Sequence, residues 1–372
     1  ISIPRIPLPI RWSYAGILFL LLPFTACQSG EITLTRFEDS PIIDSLLASA
    51  PHFVANTDIE AERWVATNRL GLSTDSLILS SSLHMIAIGD SVYLSELPPS
   101  AHIFAVGADG YLNRKIGGPG KGPGEFDFLT GLQYNGSHVF AKEAERVQVF
   151  TEKFEYVSSF FHSSGSFFGE FTVSPDHMFL ECLGEDWLVC ARSTFPPYDW
   201  IPSVELLPVL DLPDRSGENG YLVTVSPEGD RIAVAYGALP YIFVYDDQFR
   251  HLRTIRFEGR DVRNFEPIVG GPLAGAGVEV PAGAMEPGTN VFTVTIKFVN
   301  SRYLIARVPE GNYVLDLSEN DYKLARKIIF RPSNDTEEKE DIYPDDFLLH
   351  GDYLYVSSMW EEYVYGYTFE LE

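Results

Sequence analysis

Cysteine and basic residues are scarce in this sequence, and each shortage excludes a class of protein. Three cysteines in 372 residues are too few for a small domain held by a disulfide framework. Basic side chains are outnumbered, with 27 Lys and Arg against 52 Asp and Glu, and the formal net charge is −25. Nucleic-acid phosphates and anionic lipid surfaces repel such a chain, so we expect neither as a partner.

A long hydrophobic run is also missing. The apolar stretch at residues 14–22 is about half the length that a membrane-spanning helix needs. It follows Arg5 and Arg11 and precedes Thr25, Ala26 and Cys27, which is the order of parts in a secretory signal peptide. We therefore predict a signal peptide over residues 1–26 and export of the mature chain.

The small residues before Cys27 resemble the lipobox of bacterial lipoproteins, in which the cysteine is lipidated and becomes the mature N-terminus. An ordinary cleaved signal with an incidental cysteine is the alternative. Lipidation predicts a cell-envelope lipoprotein on the periplasmic or outer-membrane surface face, with the lipid as its membrane contact. Residues 27–60 lack sustained periodicity and are interpreted as a lipid-anchored tether with one short helix.

From residue 61 onwards the sequence repeats a unit of short strands separated by polar turns. The cadence occurs at residues 84–95, 132–141, 171–181, 222–235, 294–306 and 347–357. Six units with a period of about 40 to 50 residues, and no long helical pattern, predict an all-β fold. The specific prediction is a six-bladed β-propeller with four-stranded antiparallel blades over residues 61–372. Residues 258–290, rich in Gly, Pro and Ala, are predicted to form an inserted loop.

One unit carries a more specific pattern. Residues 117–126 read Gly-Gly-Pro-Gly-Lys-Gly-Pro-Gly-Glu-Phe, and residues 146–150 read Arg-Val-Gln-Val-Phe. This unit resembles the NHL-type propeller repeat, although the Asp that usually closes the second strand is replaced around Lys142 and Glu143. The whole layout is similar to six-bladed propeller lipoproteins secreted by Gram-negative bacteria. In that family a strand upstream of the first blade completes the last one, which implies this role for residues 62–70.

Motifs of known chemistry are absent from the sequence. The Gly-rich loop lacks the Gly-Lys-Ser/Thr of a nucleotide site, and Gly-x-Ser-x-Gly does not occur. The eight histidines lack metal-ligand spacing. Some NHL-like propellers are lyases that hold a metal through inner-strand histidines, so the resemblance makes His84 the one candidate. No metal site or cofactor is predicted, and weak calcium binding by the acidic clusters at 319–321 and 335–346 is left open.

The two remaining cysteines are predicted to form a disulfide. Cys182 and Cys190 flank the turn at residues 184–186 and lie on consecutive predicted strands. In an exported compartment such a pair can be oxidised.

The long connectors between blades are predicted to hold a ligand site. They are residues 117–128, 195–220, 258–290 and 331–346, expected on one face around the channel. Aromatic residues concentrate in connectors, at 195–200 and at Trp360. The predicted ligand-binding residues are Lys121, Glu125, Tyr198, Trp200, Arg260 and Arg263. Packing between blades or solvation is the alternative role for each.

These observations favour a monomeric, exported, lipid-anchored propeller that serves as a binding or scaffold module for a protein, peptide or glycan of the cell envelope. The alternative is a propeller enzyme, a lyase or hydrolase of carbohydrate or peptide, with carboxylates or His84 at the channel mouth. The fold does not decide between these two classes.

Overall fold

The described part of the chain is a β-propeller. The computed structural model describes residues 40–74, 76–79, 82–96, 101–162, 171–181, 187–210, 220–263, 293–318, 322–332 and 341–370. Strands account for 57% of the structure and helices for 4%, and the described strands form six sheets. The predicted fold class is therefore confirmed. Predictions for the signal peptide, Cys27, Cys182 and most of the 258–290 insertion lie outside the described residues.

Four short elements precede the first blade. They are α1 (Pro41–Ala48), β1 (His52–Asn56), β2 (Ala61–Val65) and β3 (Asn68–Leu70). Pro41 lies in the first turn of α1, where a missing N–H leaves no helical hydrogen bond unmade. The three strands form no sheet of their own, and each joins the edge of a later blade.

The first three blades are each built from four consecutive antiparallel strands. Blade I contains β4 (Ser82–Ile88), β5 (Ser91–Glu96), β6 (Ile103–Val106) and β7 (Leu112–Ile116); blade II contains β8 (Leu129–Tyr134), β9 (His138–Glu143), β10 (Arg146–Thr151) and β11 (Tyr156–Phe161); blade III contains β12 (Thr172–Val173), β13 (His177–Glu181), β14 (Trp187–Ser193) and β15 (Trp200–Pro208).

The last three blades incorporate the early strands. Blade IV contains β16 (Tyr221–Val225), β17 (Arg231–Tyr236), β18 (Tyr241–Asp246) and β19 (His251–Glu258), followed by α2 (Arg260–Arg263); blade V contains β20 (Thr295–Phe298), β21 (Tyr303–Val308), β22 (Gly311–Asp316) and β23 (Lys323–Arg331); blade VI contains β24 (Asp346–His350), β25 (Tyr353–Ser357) and β26 (Val364–Thr368). Strands β1, β2 and β3 lie outermost in blades IV, V and VI, respectively.

Residues 62–70 close the ring, but they do so as two strands. β2 pairs in parallel with β23 of blade V. After a break at residues 66–67, β3 pairs antiparallel with β26, with Leu70 opposite Val364, and completes blade VI. An N-terminal strand therefore closes the last blade, as predicted, and the segment immediately before it strengthens the neighbouring blade.

Part of the predicted tether also folds onto the propeller. Ile43 of α1 is buried in the apolar cluster of blades III and IV, with Leu46 and Leu47 packed beside it. β1 pairs in parallel with β19, from His52 opposite Thr254 onwards. Because these apolar side chains and strand edges are buried by contact with a blade, residues 41–56 are an integral part of the domain.

The core lies between neighbouring blades. Every residue of β18 is buried, because its sheet packs against another blade on each face. The apolar cluster between blades IV and V combines, among others, Ile242, Phe257, Leu304 and Tyr313. Such strands lack the apolar-polar alternation of half-exposed sheets, which is why they appear in the sequence as short continuous apolar runs.

The antiparallel order of each blade defines two faces. The connector face is the end at which the last strand of one blade leads to the first strand of the next. Turns between second and third strands lie on that same face. The first and last turns of each blade lie on the opposite face, which we call the turn face. Among the described residues, no helix is long and apolar enough to span a bilayer.

Candidate functional site

A buried carboxylate joins three blades at the channel wall near the connector face. Asp346 is the first residue of β24, and its Oδ2 accepts a hydrogen bond from the Met85 backbone N–H at 2.9 Å. Its Oδ1 lies 3.0 Å from the Lys297 Nζ atom of blade V. In the same way the Thr224 hydroxyl oxygen of blade IV accepts from the Phe298 N–H of blade V at 3.2 Å. Polar side chains thus connect consecutive inner strands.

His84, the sequence-predicted metal candidate, belongs to this connected wall. Its Nε2 lies 2.9 Å from the Thr130 carbonyl oxygen of blade II. Burial lowers the pKa of His84, and Lys297 and Lys142 lower it further, while Asp346 opposes the shift. His84 is therefore neutral at pH 7. The described residues contain no group of three His, Cys, Asp or Glu side chains placed to hold a metal ion.

These contacts bear on the predicted enzyme alternative. Both oxygens of Asp346, the Lys297 ammonium and Nε2 of His84 are engaged in links between blades. The arrangement holds the inner strands together, and it gives the lyase or hydrolase alternative no added support.

Exposed aromatic rings mark the connector face at blades V and VI. Tyr343, in the connector before β24, is 53% exposed, and Trp360, in the turn between β25 and β26, is 81% exposed. Asp345 holds the two segments together. Its Oδ2 accepts from the Met359 N–H at 2.7 Å, and its carboxylate lies 3.5 Å from the guanidinium of Arg307. We call Tyr343, Trp360, Asp345 and Arg307 the aromatic rim.

The polar members of the aromatic rim are partly desolvated. Burial raises the pKa of Asp345, against the opposing effects of the Met359 N–H and Arg307. Arg307 also donates to the Pro344 carbonyl and stacks 5.7 Å from the Tyr343 ring centroid. Because both loops are fastened to the same carboxylate, the two exposed rings are presented on a rigid support.

The Gly-rich loop places Lys121 and Glu125 on the connector face between blades I and II. Glu125 closes the loop by accepting from the Gly122 N–H at 2.9 Å. The Lys121 side chain is 85% exposed and lies 3.4 Å from Asp127. Gly117 has φ +78°, and a Cβ there would overlap the Phe126 ring, so this position requires glycine.

Strand ends of blade II hold this loop in place. Arg146 donates to the carbonyl oxygens of Lys121 and Glu125 at 2.6 and 2.8 Å, and it pairs with the buried Glu143. Gln148 donates to the Glu125 carbonyl oxygen at 2.7 Å. Arg146 and Gln148, which belong to the segment that resembles an NHL repeat, therefore hold the Gly-rich connector in place. The Lys121 side chain takes no part in these hydrogen bonds and points into solvent.

Tyr198 and Trp200 do not lie on the connector face. They follow the turn between β14 and β15 within blade III, so the prediction that residues 195–220 form one connector between blades is wrong for this part. Tyr198 is buried and stacks on Phe160 of blade II, with ring centroids 4.7 Å apart. Trp200 lies 4.3 Å from the Arg192 guanidinium. The rings pack between blades, which is the alternative role considered from the sequence.

The two predicted arginines lie in α2, at the connector after blade IV. The Arg260 N–H donates to the Asp58 carboxylate at 2.7 Å, which links α2 to the segment after β1. The Arg260 side chain is exposed, whereas that of Arg263 lies outside the described residues. Lys121, Glu125 and Arg260 thus share a face, and Tyr198 and Trp200 are separated from them.

Of the three cysteines, Cys190 alone is among the described residues. Cys190 is disulfide-bonded. Cys182 and Cys27 lie outside the described residues, so the Cys182 pairing and the lipidation stay predictions.

Sequence reasoning identified Trp360 as an aromatic connector residue but missed Tyr343, Asp345 and Arg307. The available signal was the run Tyr-Pro-Asp-Asp at 343–346, directly before an apolar strand. Arg307 gave no signal, because its partners are 37 and 38 residues further along the chain.

Comparison with known proteins finds distant likeness in fold. No family model and no curated protein matches the sequence. A Bacteroides fragilis protein provisionally described as exported is similar over 82% of this chain and 88% of that chain, with 10% identity and a TM-score of 0.46. A DUF4221 family member from Bacteroides vulgatus matches over 82% and 97%, with 13% identity and a TM-score of 0.49. Kuenenia stuttgartiensis hydrazine synthase matches over 81% and 98%, with 13% identity and a TM-score of 0.46.

Proposed function

We propose that this chain is an exported, lipid-anchored propeller that works as a binding module for a protein, peptide or glycan of the cell envelope. The observation that carries the proposal is the aromatic rim. Trp360 and Tyr343 expose 81% and 53% of their surface, on two loops joined by the Asp345 carboxylate. Trp, Tyr and Arg are the side chains over-represented in the energetic centres of interfaces.

The position of the aromatic rim supports the same role. It lies on the connector face, together with the exposed side chains of Lys121 and Arg260. A scaffold of packed blades with exposed aromatic and charged side chains gathered on the loops of one face has the layout of a recognition surface. Lys121, Glu125, Arg260 and Arg263 are retained as proposed further contacts, whereas Tyr198 and Trp200 are assigned to packing.

The test is capture from a cell-envelope extract by the immobilised mature domain. Trp360→Ala combined with Tyr343→Ala should abolish capture of the partner seen with the unchanged domain. Tyr111→Ala is the matched control, because Tyr111 is 46% exposed but lies in the turn between β6 and β7, on the turn face. Capture that survives the double substitution and is lost in Tyr111→Ala would place the site on the opposite face.

A further inference from the structure

The outer edge of blade II differs from the other blade edges. β11 is the last strand in its sheet order, and no described strand pairs with its outer side. Its sequence is Tyr-Val-Ser-Ser-Phe-Phe, without a charged residue. Tyr156, Val157 and Phe161 are 40%, 44% and 75% exposed. An uncharged apolar edge strand is a template for pairing with another chain.

The remaining edges carry recognisable protection. β7 of blade I exposes the run Asn113, Arg114 and Lys115. β15 of blade III contains a proline at position 202 and has three register irregularities with β14. β3 of blade VI has three residues. Charges, proline, bulges and shortness are the devices by which natural sheets prevent edge pairing. β11 has six residues without a charge or a proline, and its pairing with β10 has a single register irregularity, at the Val149–Phe150 step.

The outer edges of blades IV and V show that the fourth strand of a blade can pair with an additional strand in this fold. β1 and β2 lie parallel to β19 and β23, each over five paired residues. Both strands come from an extended segment distant in sequence. The fourth strand of a blade in this protein therefore pairs with an added parallel strand, and it does so although its own pairing with the third strand has one register irregularity in each of these two blades.

The backbone of β11 is oriented for the same pairing. The His162 N–H donates to the Glu145 carbonyl oxygen at 2.9 Å, which makes this a hydrogen-bonded pair between β11 and β10. In an antiparallel ladder, hydrogen-bonded residue pairs alternate with non-hydrogen-bonded pairs. Phe161 and Ser159 belong to the non-hydrogen-bonded pairs, so their N–H and C=O groups point away from β10. The Phe161 carbonyl oxygen already receives the Arg192 guanidinium at 3.4 Å. Ser159 is thus the central position for an incoming strand.

The net negative charge of the chain limits which kind of polypeptide can pair with the edge of β11. Two copies of this chain would bring together two formal charges of −25, which opposes pairing of β11 with itself. A basic segment is attracted by the same charge. We propose that the edge of β11 receives an extended, basic, strand-forming segment of a partner polypeptide, added parallel to β11 as β1 is added to β19. This surface lies on the outer edge of blade II and is independent of the aromatic rim.

The test uses a synthetic probe, the fluorescently labelled peptide acetyl-Lys-Val-Thr-Val-Lys-Val-Lys-amide, with Glu replacing Lys in the control peptide. Anisotropy should show binding of the basic peptide to the mature domain and not of the acidic one. Amide exchange should show new protection at Ser159 and Phe161. Ser159→Pro removes an outward N–H and should weaken binding by about tenfold or more, whereas Ser159→Thr should stay within about twofold.

A second variant covers the case in which proline disturbs the fold. Ser159→Lys keeps the backbone N–H and adds a charge to the edge, so it should also weaken binding of the basic peptide. Equal binding to Ser159→Pro and Ser159→Thr would overturn the proposal. So would a concentration-dependent dimer lost in Ser159→Pro, since the occupant would then be a second copy. Loss of peptide binding in Trp360→Ala would assign the peptide to the aromatic rim and also refute the edge site.

Discussion

The Asp346 carboxylate accepts a hydrogen bond from the Met85 backbone N–H at 2.9 Å and thereby joins the inner strand of the last blade to that of the first. The same carboxylate pairs with Lys297 of blade V at 3.0 Å. Three successive blades thus meet at one buried side chain, at the point where the ring closes. The outer closure by β3 involves three paired residues, and an apolar cluster that includes Met85 and Val364 packs between blades VI and I. The Asp346 carboxylate adds a buried polar link to the same closure.

Asp346→Ala should lower the free energy of unfolding by about 3 kcal/mol, because it leaves the Lys297 ammonium and the Met85 N–H without their partner. Urea denaturation of the mature domain measures the change. Adding Lys297→Met to Asp346→Ala should recover part of the loss, since the unpaired charge is removed as well. An unfolding free energy that is unchanged in Asp346→Ala would show that water replaces the carboxylate at no cost.

Much of the architecture was predictable because the blades repeat. Runs such as Ile232–Tyr236 and Ile242–Tyr245 are apolar and β-branched or aromatic, and turn residues separate them at regular spacing. The closure of blade VI by an upstream strand was implied by the family resemblance, whereas the path of residues 40–65 was not predictable from such patterns. β1 and β2 have five residues each and contain charged or polar positions, and their partners lie about 200 or more residues away in the chain. Edge pairing of that kind is decided by the finished blades.

The candidate site was less predictable than the fold. Tyr198 has proline and aspartate neighbours and appears solvent-exposed in sequence, yet Phe160 of the preceding blade covers it. Asp345 gains its role only when the Met359 N–H and the Arg307 guanidinium converge on it from other strands. Such convergence depends on tertiary contacts, which a single sequence does not display.

Arg146 is expected to be essential for the stability of the Gly-rich connector. Arg146→Ala removes the cationic partner of the buried Glu143, which keeps its hydrogen bonds from the Asp127 N–H and Gln148, and it removes two hydrogen bonds to loop carbonyl groups. The free energy of unfolding should therefore fall by about 3 kcal/mol. Lys121→Ala is the matched control in the same loop. Its exposed pair with Asp127 should contribute less than about 1 kcal/mol. Equal losses in the two variants would contradict this assignment.

His162 should make the stability of the domain depend on pH. Burial, with a further contribution from Lys142, lowers the pKa of His162 to about 4 from its ordinary value of 6.5. The unfolded chain then binds a proton more readily than the folded one. The stabilisation due to the neutral ring is complete above pH 6.5 and is lost as the pH falls towards about 4, with a slope of up to about 1.4 kcal/mol per pH unit.

The measurement is the free energy of unfolding between pH 4 and pH 8, compared with the His162→Gln variant. Glutamine cannot be protonated in this range, so the variant should show a shallower decline on the acid side. Identical slopes for the two proteins would mean that His162 takes up its proton equally in the folded and unfolded states.

Lipidation of Cys27 remains a prediction with a direct test. The protein recovered from its native envelope should partition with membranes, and Cys27→Ser should move it to the soluble fraction, because one acyl-modified residue is its proposed membrane contact. Mass spectrometry of the N-terminal peptide checks the modification itself. An unmodified Cys27 in envelope-derived protein would refute the anchor while leaving the propeller unaffected.

The elements that precede the first blade should contribute to the stability of the domain in two parts, which two deletions of different length can separate. Deleting residues 40–59 removes α1 and β1, uncovers the cluster that contains Ile43, and leaves β19 with an open edge. The melting temperature should fall by about 5 °C or more, since the lost apolar contacts amount to at least a few kcal/mol. Extending the deletion to residue 72 also removes β2 and β3, reopens blade VI, and should lower the melting temperature further or prevent folding. The sequence alone assigned residues 27–60 to a tether, so the shorter deletion discriminates between that interpretation and an integral role. An unchanged melting temperature would mean that α1 and β1 contribute nothing to the domain. A drop confined to the longer deletion would restrict closure to β2 and β3.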